Sequence, residues 1–166
     1  MILITGGAGF VGSSLALRLK QAFPEKKLVA FDNLKRRGSE LNLSRLREAR
    51  VEFIHGDIRQ PGDLDVGKVE WIIECSAEPS ALAGVDGSTD YLVHTNLLGT
   101  YHCLELARKH HAGMIFLSTS RVYPLRKIHE LNYRALSTRF ELENQQLIPG
   151  VSPKGISEDF PLDGAR

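Results

Sequence analysis

Short apolar runs alternate with amphipathic segments over the first three quarters of the chain. The apolar runs predict five strands, at residues 2–4, 27–32, 51–54, 69–73 and 114–117. Apolar positions at helical spacing predict helices over residues 10–23, 40–49 and 91–109, with Ser39 able to cap the second. Strands that are apolar throughout are typical of a parallel sheet covered by helices on both faces. Right-handed crossovers then predict the strand order 3-2-1-4-5.

The pattern ends after Tyr123. Residues 124–166 contain four of the seven prolines and show neither the helical nor the strand period. We therefore predict two parts, an α/β domain over residues 1–123 and an irregular segment over residues 124–166. More than forty residues without regular structure are unusual inside a compact domain, so this segment is expected to be a functional loop, truncated before the elements that would organise it.

Composition narrows the class of protein. A chain of 166 residues that is 42% hydrophobic and 25% charged is typical of one globular domain and not of a disordered chain. The net charge of +1 argues against nucleic-acid or membrane-surface partners. Cys75 and Cys103 lie far apart, which predicts neither a disulfide framework nor a zinc site. With no apolar run near 20 residues and no signal-peptide pattern, we expect a cytoplasmic protein.

No metal site is predicted either. His94, His102, His110 and His111 do not combine with a carboxylate at the spacing of metal ligands. The last two lie near the end of a predicted helix, where a cation is favoured by the helix dipole.

A glycine-rich segment follows the first predicted strand and opens the first predicted helix. Gly6, Gly9 and Gly12 are spaced three apart. Gly6 is expected to allow a tight turn, Gly9 to admit a pyrophosphate, and Gly12 to let the helix lie against the sheet. The helix N-terminus, with Phe10 and Val11, would hold the phosphates. The alternative is a glycine-rich turn without a ligand; a P-loop fits poorly because Ser13 stands where its lysine should follow.

Asp32 strengthens the prediction of a dinucleotide site. It ends the second predicted strand, twenty residues after Gly12, where a carboxylate can accept both ribose hydroxyls of an adenosine. It would also repel a 2′-phosphate, by about 4 kcal/mol per unit charge at ~4 Å and an effective dielectric constant near 20. NAD is therefore predicted over NADP. The basic run Lys35, Arg36 and Arg37 is the competing signal, since it could bind a 2′-phosphate or be a solvated turn.

Four motifs and a weaker fifth carry a resemblance to a known family. They are residues 5–12, 31–34, 55–59 and 118–123, and Asn96 with Gly99 and Thr100. The chain resembles the extended short-chain dehydrogenase/reductase family, the NAD-dependent nucleotide-sugar epimerases and dehydratases with a Rossmann doubly wound sheet. Residues 31–38 and 138–142 look most like its CDP-paratose/CDP-tyvelose 2-epimerase branch.

The resemblance implies roles for individual residues. Asp32 and Asn33 would hold the adenosine ribose, and Asp57 and Ile58 would contact the adenine. Ala77 would lie beside the cofactor, and Asn96 would position its loop. Ser118 would belong to the cofactor site. Thr119 matches the residue that hydrogen-bonds the substrate hydroxyl, and hydroxyl side chains at the carboxyl end of a strand suit a ligand site.

The chain also departs from the family. Glu74 stands where the family often has histidine, and Pro124 replaces a glycine. No convincing catalytic Tyr-x-x-x-Lys is present: Tyr123 and Lys127 have the spacing, but Pro124 argues against a helix turn between them. Tyr133 is followed by Ser137 instead of a lysine. We expect the pair, the later strands and the substrate domain to lie beyond Arg166.

Three hypotheses follow. The first is the NAD-binding portion of a nucleotide-sugar epimerase or dehydratase that acts by transient hydride transfer at a sugar carbon. The second is a stand-alone NAD(P)-binding module without chemistry. The third is an NADP-dependent reductase that uses Arg36 and Arg37. The resemblance further implies a nucleotide-sugar substrate for the full-length protein and leaves a homodimer through the long helix open.

Overall fold

The chain forms a parallel five-stranded sheet followed by a smaller unit. A computed structural model describes residues 1–85, 87–119 and 122–163. The strands follow the spatial order β3-β2-β1-β4-β5, all parallel. Their bounds are β1 (Ile2–Thr5), β2 (Leu28–Asp32), β3 (Glu52–His55), β4 (Trp71–Glu74) and β5 (Gly113–Phe116). The predicted Rossmann-type sheet and its strand order are confirmed.

Helices connect these strands. They are α1 (Phe10–Ala22), α2 (Leu43–Glu48), α3 (Asp90–Val93) and α4 (Thr100–His110), with a π-helical segment, His94–Gly99, between the last two. The predicted helix over 91–109 therefore contains a change of hydrogen-bond pattern. Two 3₁₀ turns occur at Ser39–Asn42 and Pro61–Leu64. Ser39 does not cap α2, because its side chain is buried and it begins a 3₁₀ turn instead.

Each face of the sheet has its own core, because successive strand residues point to opposite sides. Leu3, Val29 and Ile72 pack on one face with Cys103 and Leu106 of α4. Their chain neighbours form the other core with side chains of α1 and α2: Ile4, Ala30 and Ile73 with Ala16 and Leu46. The three central strands, β1, β2 and β4, are thus largely buried on both sides, as expected for a parallel sheet, whereas the edge strands β3 and β5 are partly exposed.

The first compact unit is Met1–Leu117, and the second is Ser118–Arg166. Its elements are α5 (Leu125–His129) and two antiparallel hairpins, β6 (Tyr133–Ala135) with β7 (Phe140–Leu142) and β8 (Val151–Ser152) with β9 (Gly155–Ile156). Strands of two or three residues are too short to show a period, which explains why the sequence predicted irregular structure here. The predicted domains at 1–123 and 124–166 stay a prediction.

The interior of the second unit is small. Phe160 is buried, and its ring meets the edge of Tyr123 at a centroid distance of 5.1 Å. Gly150 has φ +76°, and a Cβ there would lie 2.4 Å from the Phe160 nitrogen. That position therefore needs glycine. Among the residues that the structure describes in both units, no helix is both long and apolar enough to cross a membrane.

Candidate functional site

A cleft of about 830 Å³ opens at the carboxyl ends of the parallel strands. This is the edge at which open α/β sheets bind ligands. Ten of the predicted site residues line it: Gly6, Gly9, Phe10, Val11, Gly12, Asp32, Asn33, Asp57, Ile58 and Ala77. The structure therefore brings together residues from the first half of the chain that are up to 71 positions apart in sequence.

The glycine loop forms one wall of this cleft. Gly6 has φ +60°, and a Cβ there would lie 2.7 Å from the Cys75 carbonyl oxygen. A Cβ at Gly12 would lie only 2.2 Å from the Gly6 carbonyl oxygen. The first turn of α1, residues 10–13, is described in full and carries no acidic side chain. An anion at this helix N-terminus would therefore meet no carboxylate from the first turn of α1.

The close approach of this loop to the sheet depends on a glycine that the sequence reasoning did not single out. A Cβ at Gly7 would lie 2.6 Å from the Ala30 Cα on β2. At Gly12 the three atoms nearest to such a Cβ belong to Gly6 and Gly7, in the loop directly after β1. The role predicted for Gly12, to let the helix lie against the sheet, stays a prediction.

Asp32 is held by backbone N–H groups. Its Oδ2 accepts a hydrogen bond from the Ala8 nitrogen at 3.1 Å, and its Oδ1 accepts one from the Leu34 nitrogen at 2.8 Å. Leu34 has φ +53°, a conformation that non-glycine residues rarely adopt. The carboxylate thus joins the glycine loop to the end of β2. Each of its oxygens can still accept a further hydrogen bond from a ligand.

Asp57 lies beside Asn33 and is paired with Arg59. Arg59 donates to it at 2.6 Å through Nη2, and Asn33 Nδ2 donates to its Oδ2 at 2.9 Å. Burial alone would raise the pKa of Asp57, but the hydrogen bonds from Arg59 and Asn33 outweigh it and lower the pKa to about 2. The side chain of Asp57 is therefore ionised at neutral pH.

Asp57→Asn is expected to destabilise the chain at pH 7 by at most about 2 kcal/mol, because it removes the ion pair with Arg59. A lowered pKa stabilises the fold above the unfolded value and ceases to do so as pH falls. The difference from wild type should therefore shrink from about pH 5 towards the folded pKa of about 2. Urea unfolding at pH 7 and pH 3 measures it.

The control is Glu105→Gln, which removes an exposed ion pair with Arg108 and should leave the unfolding midpoint nearly unchanged. An equal loss for Asp57→Asn at both pH values would contradict the assignment of the charge.

Two cations meet the ring of Tyr91. The Lys35 ammonium lies 3.2 Å from the ring centroid, and the Arg59 guanidinium carbon lies 4.7 Å from it. Lys35 and Tyr91 both line the cleft, together with Arg36. Sequence reasoning treated the basic run as a solvated turn or a phosphate site. It missed Tyr91, because nothing in the local pattern places that ring beside Lys35.

Asn96 holds the loop after β4. Its Oδ1 accepts a hydrogen bond from the Glu78 nitrogen at 2.8 Å, and its Nδ2 donates to the Glu78 carbonyl at 3.2 Å. Glu78 and Ala77 line the cleft. Gly99, in the same motif, allows the helix to approach Ile58, since a Cβ there would lie 2.4 Å from the Ile58 Cδ1. The predicted role of Asn96 as a positioning residue stays a prediction.

Thr95 is a cleft residue that the sequence reasoning also missed. It is only 6% exposed, and its Oγ1 has no hydrogen-bond partner among the residues that the structure describes. A buried hydroxyl without a partner is costly, so a ligand that reaches it would be favoured. The remaining lining residues outside the prediction are Phe31, Ser39, Gly56, Cys75, Ser76, Pro79 and Ser80.

Comparison with known proteins identifies the family. The model of the NAD dependent epimerase/dehydratase family matches residues 2–141. The chain belongs to this family. The predicted family is thus confirmed, and NAD as the cofactor is confirmed at the level of the family.

Individual members of the family give the extent of the likeness. The chain is 31% identical to the CDP-paratose 2-epimerase of Salmonella typhi over 99% of its own length and 53% of that enzyme. Among solved structures, it is similar to the ADP-L-glycero-D-manno-heptose-6-epimerase of Helicobacter pylori, with 31% identity and a TM-score of 0.62 over 74% of the chain and 40% of that protein.

A third relative is the dTDP-glucose 4,6-dehydratase of Bacillus anthracis, whose structure was solved in complex with NAD. The identity is 25% and the TM-score 0.61, over 92% of this chain and 44% of that one. The chain thus spans about half or less of the length of the relatives it matches.

The cleft fits the cofactor that the family name gives. A helix N-terminus without acidic side chains, a carboxylate anchored beside it, and an unpartnered buried hydroxyl are all suited to a dinucleotide. By contrast, the described residues contain no group of three or more His, Cys, Asp or Glu side chains that could hold a metal ion.

The remaining predicted residues lie outside the first unit. Ser118 and Thr119 follow β5 in the chain and belong to the second unit. Ser120 and Arg121, which complete the motif up to Tyr123, lie outside the described residues. The roles predicted for Ser118 and Thr119 stay predictions.

Proposed function

We propose that this chain binds NAD in the cleft and is the cofactor-binding portion of a nucleotide-sugar epimerase or dehydratase. The observation that carries the proposal is the position of Asp32. Its carboxylate accepts the Ala8 N–H of the glycine loop, so the ribose-binding acid and the phosphate-binding loop are parts of one hydrogen-bonded unit.

The chain's own residues then have defined tasks. The backbone from Gly9 to Gly12 and the N-terminus of α1 receive the pyrophosphate. Asp32 accepts the ribose hydroxyls, with Asn33 beside it. Asp57 and Ile58 form the adenine end of the cleft, and Thr95 donates its free hydroxyl to the ligand.

NAD, when bound, supplies the group that accepts and returns a hydride at a sugar carbon. Thr119 is proposed to hydrogen-bond the substrate hydroxyl, and the residues described here include no Tyr-x-x-x-Lys in a helix. Losing a general acid or base costs about 10²–10⁴-fold in rate. Since the chain spans 53% of the Salmonella typhi epimerase, turnover is proposed for a whole protein with further elements.

A homodimer is part of the proposal. Apolar side chains follow one face of the helical segment from α3 to α4 at helical spacing and are exposed: Val93, Leu97, Tyr101 and Leu104. A second copy of the chain would bury them.

A cytoplasmic location is also proposed. The two cysteines are free thiols, which agrees with it.

Isothermal titration of the purified chain with NAD tests the proposal. We expect saturable one-to-one binding, with tighter binding of NAD than of NADP. Tighter binding of NADP would favour the reductase alternative, which Arg36 supports because it lines the cleft. Absence of binding to either dinucleotide by a folded chain would overturn the assignment of the cleft.

A stand-alone binding module makes the same prediction for NAD binding and differs in chemistry. Turnover of a nucleotide sugar by the whole protein, absent from the 166-residue chain, distinguishes the two. A whole protein that binds NAD but leaves every nucleotide sugar unchanged would favour the module.

A further inference from the structure

Glu74 is a carboxyl group buried beside the cofactor cleft. It ends β4 and is 1% exposed. Its Oε1 accepts hydrogen bonds from the Ser76 nitrogen at 2.9 Å and from Thr5 Oγ1 at 3.4 Å, and its Oε2 accepts one from Thr100 Oγ1 at 3.4 Å. Among the residues that the structure describes, no Lys, Arg or His nitrogen lies within ion-pair distance of it.

These three partners belong to three different elements around the cofactor cleft. Thr5 ends β1 and directly precedes Gly6. Ser76 lines the cleft in the loop after β4, and Thr100 is the first residue of α4. The intervening residue, Cys75, packs its carbonyl against Gly6, where only a glycine fits. One carboxyl group therefore connects the end of β1, just before the glycine loop, with the loop after β4 and the start of α4.

The surroundings of Glu74 favour its neutral form. Burial raises the pKa of Glu74, and the hydrogen bonds from Ser76, Thr100 and Thr5 offset this only in part. The titratable groups that interact with it are two thiols, that of Cys103 on α4 and that of its chain neighbour Cys75, which packs with the core on the other face of the sheet. Burial raises the pKa of each thiol to about 12, so both stay neutral. β1 contributes Thr5, and β5 pairs Phe116 with Glu74.

We propose that Glu74 is a positioning residue that couples NAD binding to the uptake of a proton. The proposal rests on the proposed function, since it concerns the same cleft. A dinucleotide brings the two negative charges of its pyrophosphate to the glycine loop, which begins one residue after Thr5. An ionised carboxylate hydrogen-bonded to Thr5 opposes this charge, whereas a protonated one does not. The protonated form also donates to one hydroxyl while accepting from Ser76.

The direction of the coupling follows from linkage. If bound NAD makes the protonated form more favourable, then a proton is taken up on binding, and NAD affinity falls as pH rises through this transition. One coupled site limits the change to about tenfold per pH unit. Any proton exchange at other groups is a separate background, which a matched variant at the surface measures.

Glu74→Gln is the deciding variant, because glutamine keeps the shape and an acceptor for Ser76 and cannot titrate. Titration calorimetry with NAD is repeated in two buffers of different ionisation enthalpy at several pH values between 5 and 8. We expect proton uptake by wild type and by the surface control Glu48→Gln, and loss of that uptake in Glu74→Gln. The NAD affinity of Glu74→Gln should fall less than that of wild type as pH rises.

A second measurement needs no cofactor. A raised pKa stabilises the fold below the unfolded value and ceases to do so as pH rises through the folded pKa. Wild type should therefore lose unfolding midpoint relative to Glu74→Gln as pH rises, and the two should converge at low pH.

The outcomes separate this inference from the proposed function. No NAD binding by folded wild type overturns the proposed function. NAD binding with equal proton uptake in wild type and Glu74→Gln overturns the role of Glu74 alone. If Glu74→Gln fails to fold, Glu74→Met is used, because methionine is similar in length and cannot titrate. A wild-type NAD affinity that does not change between pH 5 and 8 contradicts the coupling without any variant.

Discussion

Gly12→Ala is expected to abolish NAD binding by the chain, with a loss of at least about 100-fold in affinity. A Cβ at this position would lie 2.2 Å from the Gly6 carbonyl oxygen, and backbone atoms of Gly6 and Gly7 also lie within 3 Å. None of these atoms is the end of a flexible side chain, so either α1 or the glycine loop must move. Either movement displaces the N–H groups that would receive the pyrophosphate. Calorimetric titration with NAD measures the loss.

Substitutions at two further glycines provide comparisons for Gly12→Ala. A Cβ at Gly9 would lie 3.1 Å from the Gly6 oxygen, and a Cβ at Gly62 meets no atom within 4 Å. Gly9→Ala should therefore fold and bind NAD more weakly, while Gly62→Ala should bind like wild type. Circular dichroism and thermal unfolding separate lost binding from lost folding. Wild-type affinity in a folded Gly12→Ala variant would show that the loop does not hold the dinucleotide.

The sheet could be predicted because its signal is local. Residues such as Ile4 and Val29 lie in short runs that are buried on both faces, and such runs can be recognised in a single stretch of sequence. The glycine loop and Asp32 could be predicted for a related reason. Their chemistry requires certain residue types at a fixed spacing along one strand–turn–helix–strand unit.

The rest of the cleft depends on contacts between distant segments. Asn33 meets Asp57 across 24 residues, and Lys35 meets the ring of Tyr91 across 56. No period or spacing in the sequence encodes these pairs, since they arise when the crossovers bring separate loops to one edge of the sheet. Thr95 was missed because a threonine in a helix gives no local sign that its hydroxyl is buried without a partner.

The short strands of the second unit could not be predicted from the sequence for a different reason. β8 and β9 have two residues each, and their pairing depends on the turn between them and not on an apolar pattern. The π-helical segment is similar, because no period in the sequence marks a change of hydrogen-bonding pattern inside a helix. Gly99 lies at its end, against Ile58. Single π-helical turns inside α-helices occur frequently at functional sites.

Asp32→Asn is expected to weaken NAD binding by about 10- to 100-fold. It should also remove most of the preference for NAD over NADP. The carboxylate accepts the N–H groups of Ala8 and Leu34, and an amide offers one oxygen in place of two. Hydrogen bonds to a charged group contribute about 1.5–3 kcal/mol, so losing the charge weakens the hold on the ribose hydroxyls.

The same substitution removes the repulsion of a 2′-phosphate, which is about 4 kcal/mol per unit charge at ~4 Å and an effective dielectric constant near 20. NADP should therefore gain relative to NAD by about 100-fold or more, since Arg36 already lines this part of the cleft. Competition titrations with both dinucleotides measure the ratio. Asp65→Asn, at an exposed position outside the cleft, is the matched control and should leave it unchanged. A ratio that is the same in wild type and Asp32→Asn would mean that selectivity lies with the basic run, and that Asp32 serves only to hold the glycine loop.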